Sequence, residues 1–300
     1  MLKYRLMSAS VLIISLVLIV TFSRGWSSIF LPIVVSGISS VGLLEFYNFT
    51  EQKGYKPLRL WGIIFSVLYI FTVYFVSLNI KLQIEDFALM PVFLAILSLS
   101  IIVVAKQKID TALSTVVSSL TGFIYVTWLL VFIMRIVLWN GVEQIDGRFF
   151  FLFFVVVVKS TDIGAYFYGT WFGKHKLVPK ISPNKTIEGF VGGVTFAAIL
   201  GAVLASTLPS VHPMFIKLSE AIFNSGNAFA VAGLGLVIAG ILSVLGQFGD
   251  LAESIFKRDS KVKDSGGYIP GMGGVLDVID SLLFTAPAMY IFMKVLENVN

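Results

Sequence analysis

Apolar runs of membrane-spanning length follow one another along most of this 300-residue chain, and nothing else constrains its fold as strongly. A helix needs about 20 predominantly apolar residues to cross a bilayer. Runs near that length lie at roughly 7–22, 27–44, 61–78, 88–105, 114–137, 148–170, 189–208, 227–248 and 273–295. Backbone amides and carbonyls in hydrocarbon have no water to bond, so such runs must satisfy themselves as helices. The expected fold is therefore all-α: a polytopic integral membrane bundle of about nine transmembrane helices with cytoplasmic polar loops. Composition agrees. The chain is 57% hydrophobic and 13% charged, where a soluble domain has about 25% charged residues.

Lys3 and Arg5 before the first run resemble a secretory leader. No clear small-residue cleavage site follows, and a second apolar run comes at once, so this run is expected to be a retained first helix. If the N-terminus is cytoplasmic, fifteen of the 22 Lys and Arg residues fall in cytoplasmic segments: Lys3 and Arg5, then the gaps holding Lys53–Arg59, Lys106–Lys108, Lys174–Lys185 and Lys257–Lys263. That bias fits the positive-inside rule and places both long basic loops where soluble nucleotides are found. The net charge of +5 is explained by topology and anionic headgroups, without nucleic acid. The absence of cysteine excludes disulfides, a thiolate nucleophile and a zinc–thiolate site.

Polar groups that need explaining are concentrated in residues 148–300, and residues 1–147 are expected to be N-terminal transmembrane helices with short loops. Asp162 falls within an apolar span, where a carboxylate is costly and usually functional; pairing with Lys159 one turn earlier is the simpler alternative. Ser182 and Pro183 read as a helix start, with Ser182 as cap and Pro183 at the first helical position. Lys185 would then join free backbone amides in an anion site. Gly189 and Gly193 have the spacing of tight helix packing.

In a helix, Asp250, Glu253, Ser254, Lys257 and Arg258 share one face. The densest polar stretch, Ser254 to Ser281, continues through Lys263 and Asp264 into a glycine-rich turn. Gly271, Gly273 and Gly274 would let backbone amides approach phosphate. Asp277 and Asp280 then follow near the start of the last span, and two carboxylates there point to a magnesium site bound to phosphates. The alternative is acids stabilising a helix N-terminus through its dipole.

These segments, over about residues 150–290, resemble the phosphatidate cytidylyltransferase (CDP-diacylglycerol synthase) family. The family pattern is Ser-x-x-Lys-Arg, four residues, Lys-Asp, then Pro-Gly-His-Gly-Gly and Asp-Arg-x-Asp. Ser254, Lys257, Arg258, Lys263, Asp264, Pro270, Gly271, Gly273, Gly274, Asp277 and Asp280 match it in register. Asp162, Ala165, Tyr166, Gly169, Phe172, Gly173 and Lys174 match upstream, as do Ser182, Pro183, Lys185, Thr186, Glu188 and Gly189. Met272 and Val278 depart from it, standing where the family usually has histidine and arginine.

The resemblance implies transfer of CMP from CTP to phosphatidate, in a bacterial inner membrane with the active site facing the cytoplasm. It implies Mg²⁺, with a second cation in an acidic two-cation centre, and a homodimer. Asp250, Lys257, Arg258, Lys263, Asp264 and Asp277 are expected to be catalytic. Asp162, Ser182, Lys185, Ser254, Gly273 and Gly274 are expected to contact substrate, and Asp250, Asp277 and Asp280 to bind metal. A CTP-dependent polyprenol or phytol kinase-like enzyme, a transporter and a catalytically inactive relative are the rival classes.

Overall fold

The computed structural model describes residues 21, 23, 28–78, 90–106, 109–139, 146–208 and 211–298. The helices are α1 (Phe30–Gln52), α2 (Arg59–Leu78), α3 (Met90–Lys106), α4 (Ile109–Val137), α5 (Gly147–Phe172), α6 (Ile187–Thr207), α7 (Val211–Phe223), α8 (Ala228–Asp259) and α9 (Val275–Asn298). Phe123–Trp128 within α4 is π-helical. Between α5 and α6 lies a two-stranded antiparallel hairpin, β1 (Lys176–Val178) and β2 (Ser182–Thr186), pairing Lys176 with Thr186 and Val178 with Ser182.

Among the described residues, seven helices are long and apolar enough to cross a membrane: α1, α2, α4, α5, α6, α8 and α9. The protein is an integral membrane helical bundle. The expected span at 88–105 is the shorter α3; its 17 residues reach about 25 Å at 1.5 Å per residue, less than the ~30 Å hydrocarbon core. The expected span at 7–22 lies outside the described residues except for Thr21. The amphipathic α7 was not anticipated. It buries Val211, Met214, Phe215 and Leu218, the i, i+3, i+4, i+7 pattern of a one-sided helix.

The chain divides into two compact units, one of Met1–Leu138 with Phe256–Ile279, the other of Trp139–Ile255 with Asp280–Asn300. The signature stretch Phe256–Ile279 belongs with the N-terminal helices.

In the first unit, polar side chains join apolar helices. The hydroxyls of Ser39 on α1, Ser66 on α2 and Thr127 in the π-helical turn of α4 lie 2.8–3.0 Å from one another. Tyr47 of α1 is fully buried and donates to the Ser119 carbonyl at 3.1 Å. Its ring fills the space beside Gly62 and Gly122. Phe256 closes an aromatic trio with Phe46 and Tyr125, with centroids 5.2–5.6 Å apart. Ser260 Oγ donates to the Phe49 carbonyl at 3.1 Å, and Lys53 pairs with Asp259 at 2.5 Å.

In the second unit, α5 and α6 pack backbone to backbone. A Cβ at Gly193 would lie 2.7 Å from the Thr161 carbonyl oxygen, and one at Gly189 would lie 2.8 Å from that of Ala165. This is the close packing expected of the 189/193 spacing. Gly201 and Gly235 play the same part between α6 and α8. The hydroxyls of Thr161 and Ser243 meet at 2.8 Å, and Gln247 Nε2 donates to the Phe190 carbonyl at 3.1 Å.

One local expectation is corrected. Ser182 does not cap a helix and Pro183 does not open one, because both lie in β2. The helix begins at Ile187, and its cap is Thr186, whose Oγ1 accepts from the Gly189 amide at 3.1 Å. Proline's fixed φ suits an edge strand as well as a first helical turn. The hairpin pairing of β1 with β2 decides between them, and it moves Lys185 out of the first turn.

The α5–α6 contact makes a prediction about sign. Gly193→Ala places its Cβ against the Thr161 carbonyl and should lower stability by about 1–3 kcal/mol. Gly233→Ala on α8, where nothing lies within 4 Å of the new Cβ, should raise it by up to ~1 kcal/mol through helix propensity. Unfolding of the detergent-solubilised variants measures both.

Candidate functional site

In the second unit, α8 and α9 bring together three acids. One carboxylate oxygen from each of Asp250, Glu253 and Asp280 lies within 4.8 Å of the others, the one such group found among the described residues. Glu253 is fully buried and Asp280 is 5% exposed. Glycine permits the approach, since a Cβ at Gly249 would lie 2.8 Å from the Asp280 carbonyl oxygen.

Two lysines reach the same surroundings. Lys185, at the end of β2, forms an ion pair with Asp250. Lys159 on α5 donates to Ser281 Oγ at 3.2 Å and lies 3.8 Å from Asp162, within electrostatic reach of Asp280. Asp162 is thus paired with Lys159, as the simpler alternative had it, while also sensing Asp250 and Lys185. Four carboxylates and two ammonium groups gather here. Like charges this close are strongly unfavourable unless protonated or neutralised. Hard oxygen donors of this kind fit a divalent cation such as Mg²⁺.

In the first unit, a second polar network surrounds the glycine-rich loop. Lys257 Nζ lies 2.6 Å from Asp277 Oδ1. Asp277 Oδ2 accepts from the Ser265 amide at 2.8 Å, the Ser265 hydroxyl at 2.9 Å and the Gly274 amide at 2.7 Å. Glu45 of α1 accepts from the Val275 and Leu276 amides at 2.9 and 2.8 Å and from the Ser265 hydroxyl at 2.9 Å. The turn itself is closed by Ile269, whose amide donates to the Gly273 carbonyl at 2.9 Å and whose carbonyl accepts from the Gly273 amide at 3.1 Å. Positive φ at Gly271 (+78°) and Gly273 (+97°) is backbone that glycine adopts without a Cβ penalty.

The structure sorts the expected site residues by this geometry. Asp250 and Asp280 come together, joined by Glu253. Asp277 is held instead by Lys257, Ser265 and Gly274. The Gly273 amide donates to the Ile269 carbonyl and the Gly274 amide to Asp277. Ser254 and Lys257 are buried, whereas Arg258, Lys263 and Asp264 are exposed. Arg258 Nη1 donates to the Val262 carbonyl at 3.3 Å. Ser182 is half-buried in the hairpin.

The sequence reading did not place Glu45, Lys159 or Ser265 in a site, and it used Glu253 only as part of a helix face. An acid directly after the apolar run at 27–44 was the available signal for Glu45. Nothing in spacing could have linked it to a loop 220 residues away in sequence.

The profile of the cytidylyltransferase family matches residues 3–296. The chain belongs to that family. Its curated relatives include the phosphatidate cytidylyltransferases of Staphylococcus saprophyticus, 45% identical over 148 residues, and of Bacillus subtilis, 42% identical over 149 residues. The first alignment covers 49% of this chain and 50% of the relative, and the second 49% and 48%. The Staphylococcus aureus enzyme is 43% identical over 148 residues, with 49% and 50% covered. The chain thus spans about half the length of the curated relatives it matches.

Among the family's charged positions, the Lys257–Asp277 pair is testable without substrate. Both side chains are 11% exposed. Removing one member of a buried pair strands the other charge and costs roughly 3–5 kcal/mol. Lys257→Met should therefore destabilise the protein by that amount. Lys257→Met combined with Asp277→Asn should cost less than the two single changes together, as a double-mutant cycle of unfolding in mixed micelles would show.

Proposed function

We propose that this protein transfers CMP from CTP to phosphatidate, giving CDP-diacylglycerol and pyrophosphate for phospholipid synthesis. The observation that carries this reading is the group of Asp250, Glu253 and Asp280 in a family of cytidylyltransferases. A cluster of three carboxylates suits an enzyme whose nucleotide arrives with a divalent metal.

In the reaction a phosphate oxygen of phosphatidate attacks the α-phosphorus of CTP. The bond to the β-phosphate oxygen breaks in line, and pyrophosphate leaves with that electron pair. The lipid phosphate is already ionised near neutral pH, so no strong general base is required. Catalysis is then mainly positioning and charge stabilisation.

The proposed roles follow from chemistry and location. Asp250, Glu253 and Asp280 would hold Mg²⁺, which supplies charge neutralisation at the phosphates when bound. Lys185 would turn between Asp250 and substrate phosphate. Lys257, oriented by Asp277, would present a fixed ammonium. The exposed Arg258 and Lys263 would capture polyphosphate from solution, with Asp264 beside them. Ser254 and Ser182 would donate hydrogen bonds to substrate, and Asp162 with Lys159 would line a polar cavity. Gly273 and Gly274 would shape the loop without donating to phosphate. A second cation, a homodimeric assembly, and a bacterial inner membrane with the site on the cytoplasmic side complete the proposal.

The deciding experiment is pyrophosphate release by the detergent-purified protein with CTP, phosphatidate and Mg²⁺, omitting each in turn. Release that needs all three is the expected result. Release of CDP with a lipid alcohol would assign the kinase-like reaction instead. Asp250→Asn and Asp280→Asn should each lower turnover by roughly 10²–10³-fold with the fold retained, and full activity in either would remove the metal assignment.

A further inference from the structure

Glu45 lies in α1, far in sequence from every signature motif. It is fully buried in a membrane-spanning helix, where a carboxylate without partners is among the most expensive groups a protein can carry. Its partners are specific. Oε1 accepts from the Val275 amide and Oε2 from the Leu276 amide, at 2.9 and 2.8 Å. These amides belong to the first turn of α9, which has no intrahelical carbonyl to offer them. The helix dipole adds to the attraction.

The third partner is the Ser265 hydroxyl, 2.9 Å from Glu45 Oε2 and also 2.9 Å from Asp277 Oδ2. A hydroxyl has one proton to give, so Ser265 can satisfy only one carboxylate at a time and couples the two. The loop is shaped around the acid. A Cβ at Gly266 or Gly274 would lie 2.5 Å from Glu45 Oε1.

We infer that Glu45 is a positioning residue for the signature loop: it fixes Ser265 and the start of α9, and through Ser265 sets the Asp277 carboxylate that orients Lys257. The consequence for substrate is that the glycine-rich turn is not an anion cradle. The amides of Gly274, Val275 and Leu276 are all occupied by the protein's own carboxylates, so phosphate must be held by side-chain cations. Glu45 itself touches no substrate.

The kinetic arm of the test rests on the cytidylyltransferase reading, and the exchange arm does not. Glu45→Gln keeps the shape but turns one acceptor into a donor facing a backbone amide. In the full-length protein it should lower kcat by about 10- to 100-fold, the size of one or two charge-assisted hydrogen bonds. The KM for CTP should stay within about threefold of wild type, since no substrate contact is lost. Hydrogen exchange should accelerate at the amides of residues 265 and 274–277 while α2 and α3 keep their protection. Glu45→Asp, which restores the charge, should recover part of the kcat.

Unchanged kcat in an active protein, or unchanged exchange at those amides, overturns the inference. So does an acceleration spread evenly over α1–α4, which would mark a general loss of packing. If the wild-type protein itself releases no pyrophosphate, the cytidylyltransferase reading falls and the exchange arm alone decides the role of Glu45. If Glu45→Gln does not fold, Ser265→Ala takes its place. That change removes only the shared hydroxyl, and the same acceleration at 274–277 is then required.

Discussion

A carboxylate inside a membrane-spanning helix has no water to stabilise it, and the manner in which each one is compensated organises both units of this protein. Glu45 is satisfied by backbone amides and a hydroxyl, Asp277 by a lysine, a hydroxyl and two amides. Asp250 pairs with Lys185, and Asp162 with Lys159. The group of Asp250, Glu253 and Asp280 is different, because there three carboxylates meet one another. Three carboxylates meeting this closely are consistent with a divalent cation.

Compensation of that kind requires backbones to come close, and glycine provides the approach. Gly249 lets α8 meet the Asp280 carbonyl, and Gly266 and Gly274 leave the space that Glu45 occupies. A glycine-rich loop can serve phosphate by exposing amides, but here the missing side chains make room for an acid of the same protein. The distinction is physical: in one case the amides remain available, and in the other they are already bonded.

Much of the fold was legible because membrane helices are announced by length and composition. Expected spans at 27–44, 61–78, 114–137, 148–170, 189–208, 227–248 and 273–295 all correspond to helices among the described residues. Periodicity fails where the structure depends on pairing. The hairpin at 176–186 was hidden because Ser-Pro opens either a helix or an edge strand, and only the register of Lys176 with Thr186 decides. The site was legible to the extent that it is local: Asp250 and Glu253 are one turn apart. Its long-range members were not. Asp280 joins the acids of α8 through an approach that Gly249 permits, and Glu45 reaches its loop from the opposite end of the chain.

Asp277 and Asp280 show how completely neighbours decide the work of equal residues. They are three positions apart on one helix and were expected to share a metal. Asp277 meets a lysine, a hydroxyl and two backbone amides. Asp280 meets two more acids, Asp250 and Glu253. The departure at Met272 fits the same logic. The turn that carries Met272 is closed by backbone bonds, its amide donating to the Ile269 carbonyl at 3.1 Å, so its form does not need a histidine ring.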